Sequence, residues 1–395
     1  MTASEAAFRD EFRDWLLAEM AAPYIADLKE RGPTEFFAIE PRFTRAMGAA
    51  GYLGITTPRE LGGRGRSHYE QALIQAEMAW YRAPILGQFV LEREVLPALV
   101  NFGTAEQQAR LIPELLSGEA LVSQLFTEPG AGSDLAAVAT TASPGEGGFV
   151  IEGTKWLNSV AQVARYLWVV ARTDPGARHR GLSMFLIPAD APGITIEPLV
   201  EMTGIHRLNR ITLDRVEVGA ESLVGGLNRG WDIAMDTVAR ERAGAARPAG
   251  MRRYWLDLAR ALGEGAEGGE PDADARRRLA RLAVRIEACE LLYQRYARQS
   301  DAASPSELAG TTLKVYGDEV EQDLADLGTE LLGRRGVLDI GGSAPLAGRI
   351  ARLHLAAPGF TLGGGTSEIL RTVIATRGLG LPREPVRPRD RGADR

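Results

Sequence analysis

The chain has 395 residues, 45% of them hydrophobic, which is enough material for two or three domains with substantial packed cores. Its formal charge of −6 is spread over intermixed acidic and basic residues, arguing against a nucleic acid or a membrane surface as main partner and leaving small molecules or other subunits. The one cysteine, Cys289, excludes a disulfide framework or a cysteine metal site within one chain and reads as a buried core thiol in the run RLARLAVRIEACELLYQRYARQ.

The first twenty residues mix acidic with apolar side chains and lack the pattern of a secretory signal, so a mature N-terminus is expected. No run approaches the roughly 18 apolar residues of a membrane span, and a cytoplasmic location is expected. From Ser4 onward Phe8, Phe12, Trp15 and Leu16 recur at i, i+4, i+7 and i+8, which predicts a helix. After the glycine-punctuated connection Gly51 to Gly65, helical spacing resumes through Tyr69 to Trp80 and Ala105 to Leu116. Between about Ala120 and Gly225 the periodicity changes to short β-rich runs, FVIEGTKWL, RYLWVVART, LSMFLIPA, ITIEPLV and RITLDRVEV, separated by Gly, Pro and Asp. Helical spacing returns from Trp231 to Leu379, with a Gly- and acid-rich loop from Gly263 to Ala273. The division is therefore an all-α domain over 1–119, a β domain over 120–228, a helical domain over 229–381 and a mobile tail over 382–395.

Gln124 to Ala136 reads QLFTEPGAGSDLA; alone, its TEPGAGSD is a tight surface turn with an Asx or Ser cap. It follows FGTAEQQARLIPELLSGE, and GGGTSEILRTVIATRGLGLPR stands near the end. These three separated segments, in this order and spacing, resemble the acyl-CoA dehydrogenase family along almost the whole chain. The resemblance implies an α+β fold with an N-terminal helical domain, a middle β-barrel-like domain and a C-terminal four-helix bundle. It further implies FAD-dependent α,β-dehydrogenation of an acyl-CoA or carrier-bound acyl thioester. Electrons would pass to an electron-transfer flavoprotein or an equivalent acceptor. A homodimer or homotetramer is implied, with a heterotetramer as an alternative.

Carried over position by position, Gln124, Phe126 and Thr127 would contact the flavin, and Ser133 the pantetheine arm of CoA. In GTKWLNSVAQ, whose family counterpart is Lys-x-Trp-Ile-Thr-Asn, Leu157 takes the aromatic position and Ser159 the hydroxyl facing flavin N5. Trp156 would supply the ring only if the strand slipped by one residue, which would turn it to the opposite face; ordinary β-domain core is its other reading. Thr366 and Glu368 match positions on the adenosine and pyrophosphate side. A helix N-terminus capped by Thr366 or Ser367 is compatible with that role. Family contacts usually lent by a neighbouring subunit are altered here, and Arg334 or Arg335 would replace the missing cation.

Most family members carry a catalytic Glu directly before the Gly-Thr of the last motif, where this chain has Gly364. A minority, including isovaleryl- and long-chain acyl-CoA dehydrogenases, carry it on an earlier helix before an Arg, and that position reads Arg240-Glu241-Arg242. Trp231, Met235, Val238 and then Glu241 or Arg242 share one helical stripe, so a carboxylate would continue an apolar face; a salt-bridged Glu on a solvated edge is the alternative. By resemblance Glu241 is the base, the Gly364 N–H polarises the thioester carbonyl and Arg242 adjoins the substrate. Two rivals stand beside this reading: a half-site subunit of a mixed oligomer, and a flavin oxidase or monooxygenase on the same scaffold. His68, His179, His206 and His354 are scattered and give no metal spacing.

Overall fold

A computed structural model of the chain describes residues 1–25, 39–242, 246–264, 272–302, 307–339 and 344–383. Helix α1 (Ala3–Met20) starts at a capping box in which Thr2 and Glu5 satisfy each other's backbone N–H groups, and it buries Phe8, Phe12 and Leu16. Helices α2 (Glu40–Ala49) and α3 (His68–Tyr81) follow, the latter capped by Ser67 and Glu70. Next, α4 joins the α-helical segments Leu86–Val90 and Leu96–Phe102 through a π-helical stretch, Leu91–Val95. Pro97 lies just beyond that stretch; it has no N–H to give the carbonyl of residue 93, and a widened turn accommodates its ring. Helix α5 (Ala105–Leu116) is capped by Thr104 and Gln107.

Eight strands follow: β1 (Val122–Leu125), β2 (Thr141–Gly145), β3 (Gly148–Ser159), β4 (Tyr166–Arg172), β5 (Leu182–Pro188), β6 (Ile194–Val200), β7 (His206–Gly219) and β8 (Leu223–Val224). Their sheet order is β6-β7-β3-β2-β4-β5-β8, with β1 parallel to β4 at the side. One face of β4 and β5 (Leu167, Val169, Phe185, Ile187) belongs to the sheet's own core, and the other (Trp168, Val170, Met184, Leu186) to the core of the N-terminal helices. Burial on both faces is why these strands read as unbroken apolar runs rather than as an alternation.

The chain then returns to helices: α6 (Gly230–Glu241), α7 (Ala246–Glu264), α8 (Ala273–Asp301), α9 (Glu307–Leu332), α10 (Arg349–Phe360) and α11 (Ser367–Val373). Helices α7 to α10 pack round Met251, Leu258, Leu282, Ile286, Val320 and Leu353, and Tyr69 of α3 enters the same core. The elements read from spacing thus leave out α2, α4, β1, β2 and β8, each of them short or interrupted by charged residues. No helix among the described residues is long and apolar enough to cross a membrane.

Candidate active site

Where the sheet meets the two helical layers there is a cleft of about 700 Å³. Its sheet-side wall depends on a buried ion pair. Lys155, fully buried, donates to Glu128 at 2.8 Å, and the other interactions of Glu128 are with the Ala139 and Thr140 N–H groups at 2.6 and 3.0 Å. Burial lowers the Lys155 ammonium to about 8, an effect that Glu128 partly opposes. Burial acts to raise the Glu128 carboxyl, but Lys155 and the N–H donors outweigh it and leave the group below the usual carboxylate range. Both are therefore charged at neutral pH, and together they fix the Phe126 to Ala131 turn, which closes on itself through paired Glu128 and Ala131 backbone bonds.

Strand β3 carries the next part of the wall. Lys155 pairs with Ile211 and Asn158 with Asn209, so Trp156 and Leu157 on β3 stand opposite the single Arg210 on β7: a bulge. Leu157, at φ 60°, absorbs the extra residue in the left-handed region, and its side chain is 50% exposed on the cleft. The Trp156 N–H donates to Thr127 O at 2.8 Å, tying the bulge to the turn. Asn158 donates to Gln124 O at 2.9 Å, and the buried Gln124 Nε2 has no hydrogen-bond partner.

The opposite wall comes from α4 (Leu86, Phe89, Val90, Glu94) and α6 (Met235, Val238, Arg242). Of the predicted stripe on α6, Met235, Val238 and Arg242 thus face the cleft, whereas Trp231 packs against His179. Arg242 Nε donates to Gly364 O at 3.1 Å, drawing the end of α6 onto the loop Gly363–Thr366. Gly364 and Gly365 have φ of 66° and 102°, conformations that would strain any residue with a Cβ by about 1–2 kcal/mol. Thr366 caps α11 by accepting from the Ile369 N–H at 3.3 Å.

Of the residues singled out from sequence, Gln124, Phe126, Thr127, Ser133, Leu157, Ser159, Arg242, Gly364 and Thr366 line this one cleft. Glu241 ends α6, one residue before Arg242 and three after Val238; its side chain is outside the described residues. Glu368 is exposed in the first turn of α11, where backbone N–H groups and Thr366 lower its pKa. Arg334 and Arg335 are exposed in the turn after α9 and do not line the cleft. The Gly263 to Ala273 segment lies largely outside the described residues, as does the tail from 384.

Five charged cleft residues were absent from the sequence reading: Glu94, Glu201, Arg207, Arg247 and Lys314. Only Glu94 left a signal, in the charged triplet Glu92-Arg93-Glu94 set inside an apolar run. Arg247 pairs with Asp318 and Glu321, and Lys314 with Asp318 and the Phe360 carbonyl. Cys289 also borders the cleft; burial pushes its thiol up to about 12, so it stays protonated and unreactive at neutral pH. Among the described residues no group of His, Cys, Asp and Glu could hold a metal ion.

A β domain between helical layers, with a glycine loop and a helix end meeting over a cleft at their junction, is the architecture of a dehydrogenase of acyl thioesters. The chain matches the models of the acyl-CoA dehydrogenase N-terminal domain over residues 2–119, middle domain over 123–216 and C-terminal domain over 228–379. It is 36% identical to acyl-CoA dehydrogenase FadE34 of Mycobacterium tuberculosis over 86% of this chain, but spans only 46% of that relative. It is 33% identical to acyl-CoA dehydrogenase IpdE1 of the same organism, over 95% of this chain and 98% of the relative. The solved structure "Tcur3481-Tcur3483 steroid ACAD" superposes with a TM-score of 0.88 at 32% identity, covering 97% of this chain and 99% of that one. The chain belongs to the acyl-CoA dehydrogenase family, whose members are oxidoreductases and flavoproteins of lipid metabolism.

Proposed function

We propose that the chain removes an α-proton and a β-hydride from an acyl-CoA, or carrier-bound acyl, thioester held in the cleft, with Glu241 as base and FAD as cofactor. The observation that carries this reading is the Arg242–Gly364 hydrogen bond. It brings the helix end bearing Glu241 against the loop where most of the family carries its carboxylate and this chain has none. Gly364 keeps its backbone N–H, which polarises the thioester carbonyl and makes the α-proton more acidic. Phe89, Met235 and Val238 supply apolar surface to the cleft, and with substrate in place they exclude water from the reacting carbons.

The residues present fit an isoalloxazine. Gln124 Nε2 is a buried donor without a partner on the cleft wall, and Leu157 offers a half-exposed apolar face beside it. Gln124, Phe126, Thr127, Leu157 and Ser159 would hold the ring, and Thr366 and Glu368 the adenosine side. When bound, FAD supplies the acceptor for the hydride. Ser133, at the cleft edge, would meet the pantetheine arm. Electron-transfer flavoprotein or an equivalent acceptor would take the electrons.

Arg334, exposed away from this cleft, suits a pyrophosphate contact made to a neighbouring subunit. Val284, Leu291, Val337, Leu379 and Leu381 are exposed apolar residues of the C-terminal region, consistent with a subunit interface there. The paired name of the steroid relative supports an assembly of two different chains, and the side-chain-free wall at 363–365 supports a bulky acyl group such as a steroid.

Glu241→Gln tests the base. The substitution keeps shape while removing basicity, so anaerobic bleaching of the flavin by a substrate thioester should slow by about 100-fold or more. Bleaching at the wild-type rate would exclude Glu241.

A further inference from the structure

Behind α4 and α6, as seen from the cleft, is a second cavity of about 290 Å³. The two helices form the partition: Phe89 and Met235 line the cleft, whereas Arg93 and Asp236 line the cavity. The Arg93 guanidinium lies over the Phe89 ring, 4.7 Å from its centroid. Gln75 of α3, Glu92 of α4 and Tyr293 of α8, whose hydroxyl interacts with the Arg93 guanidinium, also line it.

Arg93 is 6% exposed and Gln75 3%. Arg93 Nη2 donates to Gln75 Oε1, which fixes the orientation of that amide and makes its Nε2 a donor. That Nε2 has no hydrogen-bond partner, and neither does the buried Arg93 Nη1. Nor do nearby acids neutralise the guanidinium. Glu92 accepts from the Gly54 N–H and from Gln71, Asp236 is paired with Arg240, and among the described residues none is ion-paired with Arg93. A buried guanidinium and the amide bonded to it, each with one unmet donor, are complementary to a carboxylate, which supplies two acceptor oxygens and the counter-charge together.

We propose that this cavity is a second binding site, selective for a carboxylate carried on a compact, partly apolar ligand, with Arg93 and Gln75 as its donors. The carboxylate belongs either to a free acid or to the far end of an acyl group reaching past Phe89. Binding itself does not depend on the Glu241 chemistry. Because α4 and α6 line both spaces, an occupant here also bears on the cleft.

The test uses the full-length holoprotein and isothermal titration calorimetry with benzoate, with benzamide as the neutral isostere. Benzoate should bind wild type at least tenfold tighter than benzamide. Arg93→Met and Gln75→Leu should each weaken benzoate tenfold or more, and Arg93→Lys, which keeps the charge, should weaken it less. Steady-state kinetics then separates the two sources. Competition between benzoate and an acyl-CoA bearing a terminal carboxylate, with a KM for that thioester raised in Arg93→Met while the unsubstituted thioester of equal length is unaffected, assigns the site to substrate. Benzoate bound without competition assigns it to a free acid. Absence of benzoate binding, equal affinity for benzoate and benzamide, or unchanged affinity in the variants would overturn the proposal. Should Arg93→Met fail to fold, Gln75→Leu and the wild-type comparison decide alone.

Discussion

Glu128 and Lys155 are separated by 27 residues and belong to two different motifs, yet they form one buried unit under the cleft wall. Taking away one member leaves the other charge buried without compensation, which costs far more than the pair contributes. Lys155→Met should therefore lower stability by about 3–5 kcal/mol, read from urea denaturation. Adding Glu128→Gln in the same chain should recover a large part of that loss. If the double variant were no more stable than Lys155→Met, the uncompensated charge would not be the cause. Both residues stood in recognised motifs, but their partnership was hidden because a motif read in one dimension gives no cross-chain pairing. Gln124, Thr127 and Ser159 could be assigned to one wall from sequence because the family pattern carries position. Glu94 had no such pattern, and a charged triplet in a helix ordinarily reads as a solvated face.

At the scale of elements, β4 and β5 were legible because burial on both faces leaves an unmistakable apolar run. Helix α5 was legible to the residue, since Thr104 and Gln107 mark its start and Gly118 follows its end. The bulge in β3 was not. Alternation alone puts Lys155 and Leu157 on one face, whereas the extra residue buries Lys155 and Asn158 and turns Leu157 outward to the cleft. Holding Leu157 at φ 60° is unfavourable by about 1 kcal/mol, so the local fold does not select a leucine there. Leu157→Gly should accordingly hold or raise the urea midpoint while weakening flavin retention during gel filtration. A fall in midpoint with unaltered flavin content would mean that the side chain supports the fold and not the cleft.

For the whole molecule, three glutamates give opposing pH dependences. Glu40, buried under α4, accepts from the Leu86 and Gly87 N–H groups at 3.3 and 3.0 Å, and Glu92 accepts from Gly54 and Gln71. Burial raises each to about 7 despite those donors, against 4.5 for the free side chain. The folded chain then binds protons that the unfolded chain has lost between pH 4.5 and 7, so stability is fully present below 4.5 and falls as pH rises, by about 1.4 kcal/mol per unit for each group. Glu5 works the other way. Its hydrogen bonds from Arg298 lower it to about 2, so its contribution is present above 4.5 and is lost as pH falls toward 2. Urea midpoints should therefore peak near pH 4.5–5 and decline toward pH 7. With Glu40→Gln and Glu92→Gln combined, the decline above pH 5 should flatten while the acid limb set by Glu5 and Arg298 remains. An equally steep decline in that variant would place the titrating groups elsewhere and leave the two buried carboxyls without the role argued for them.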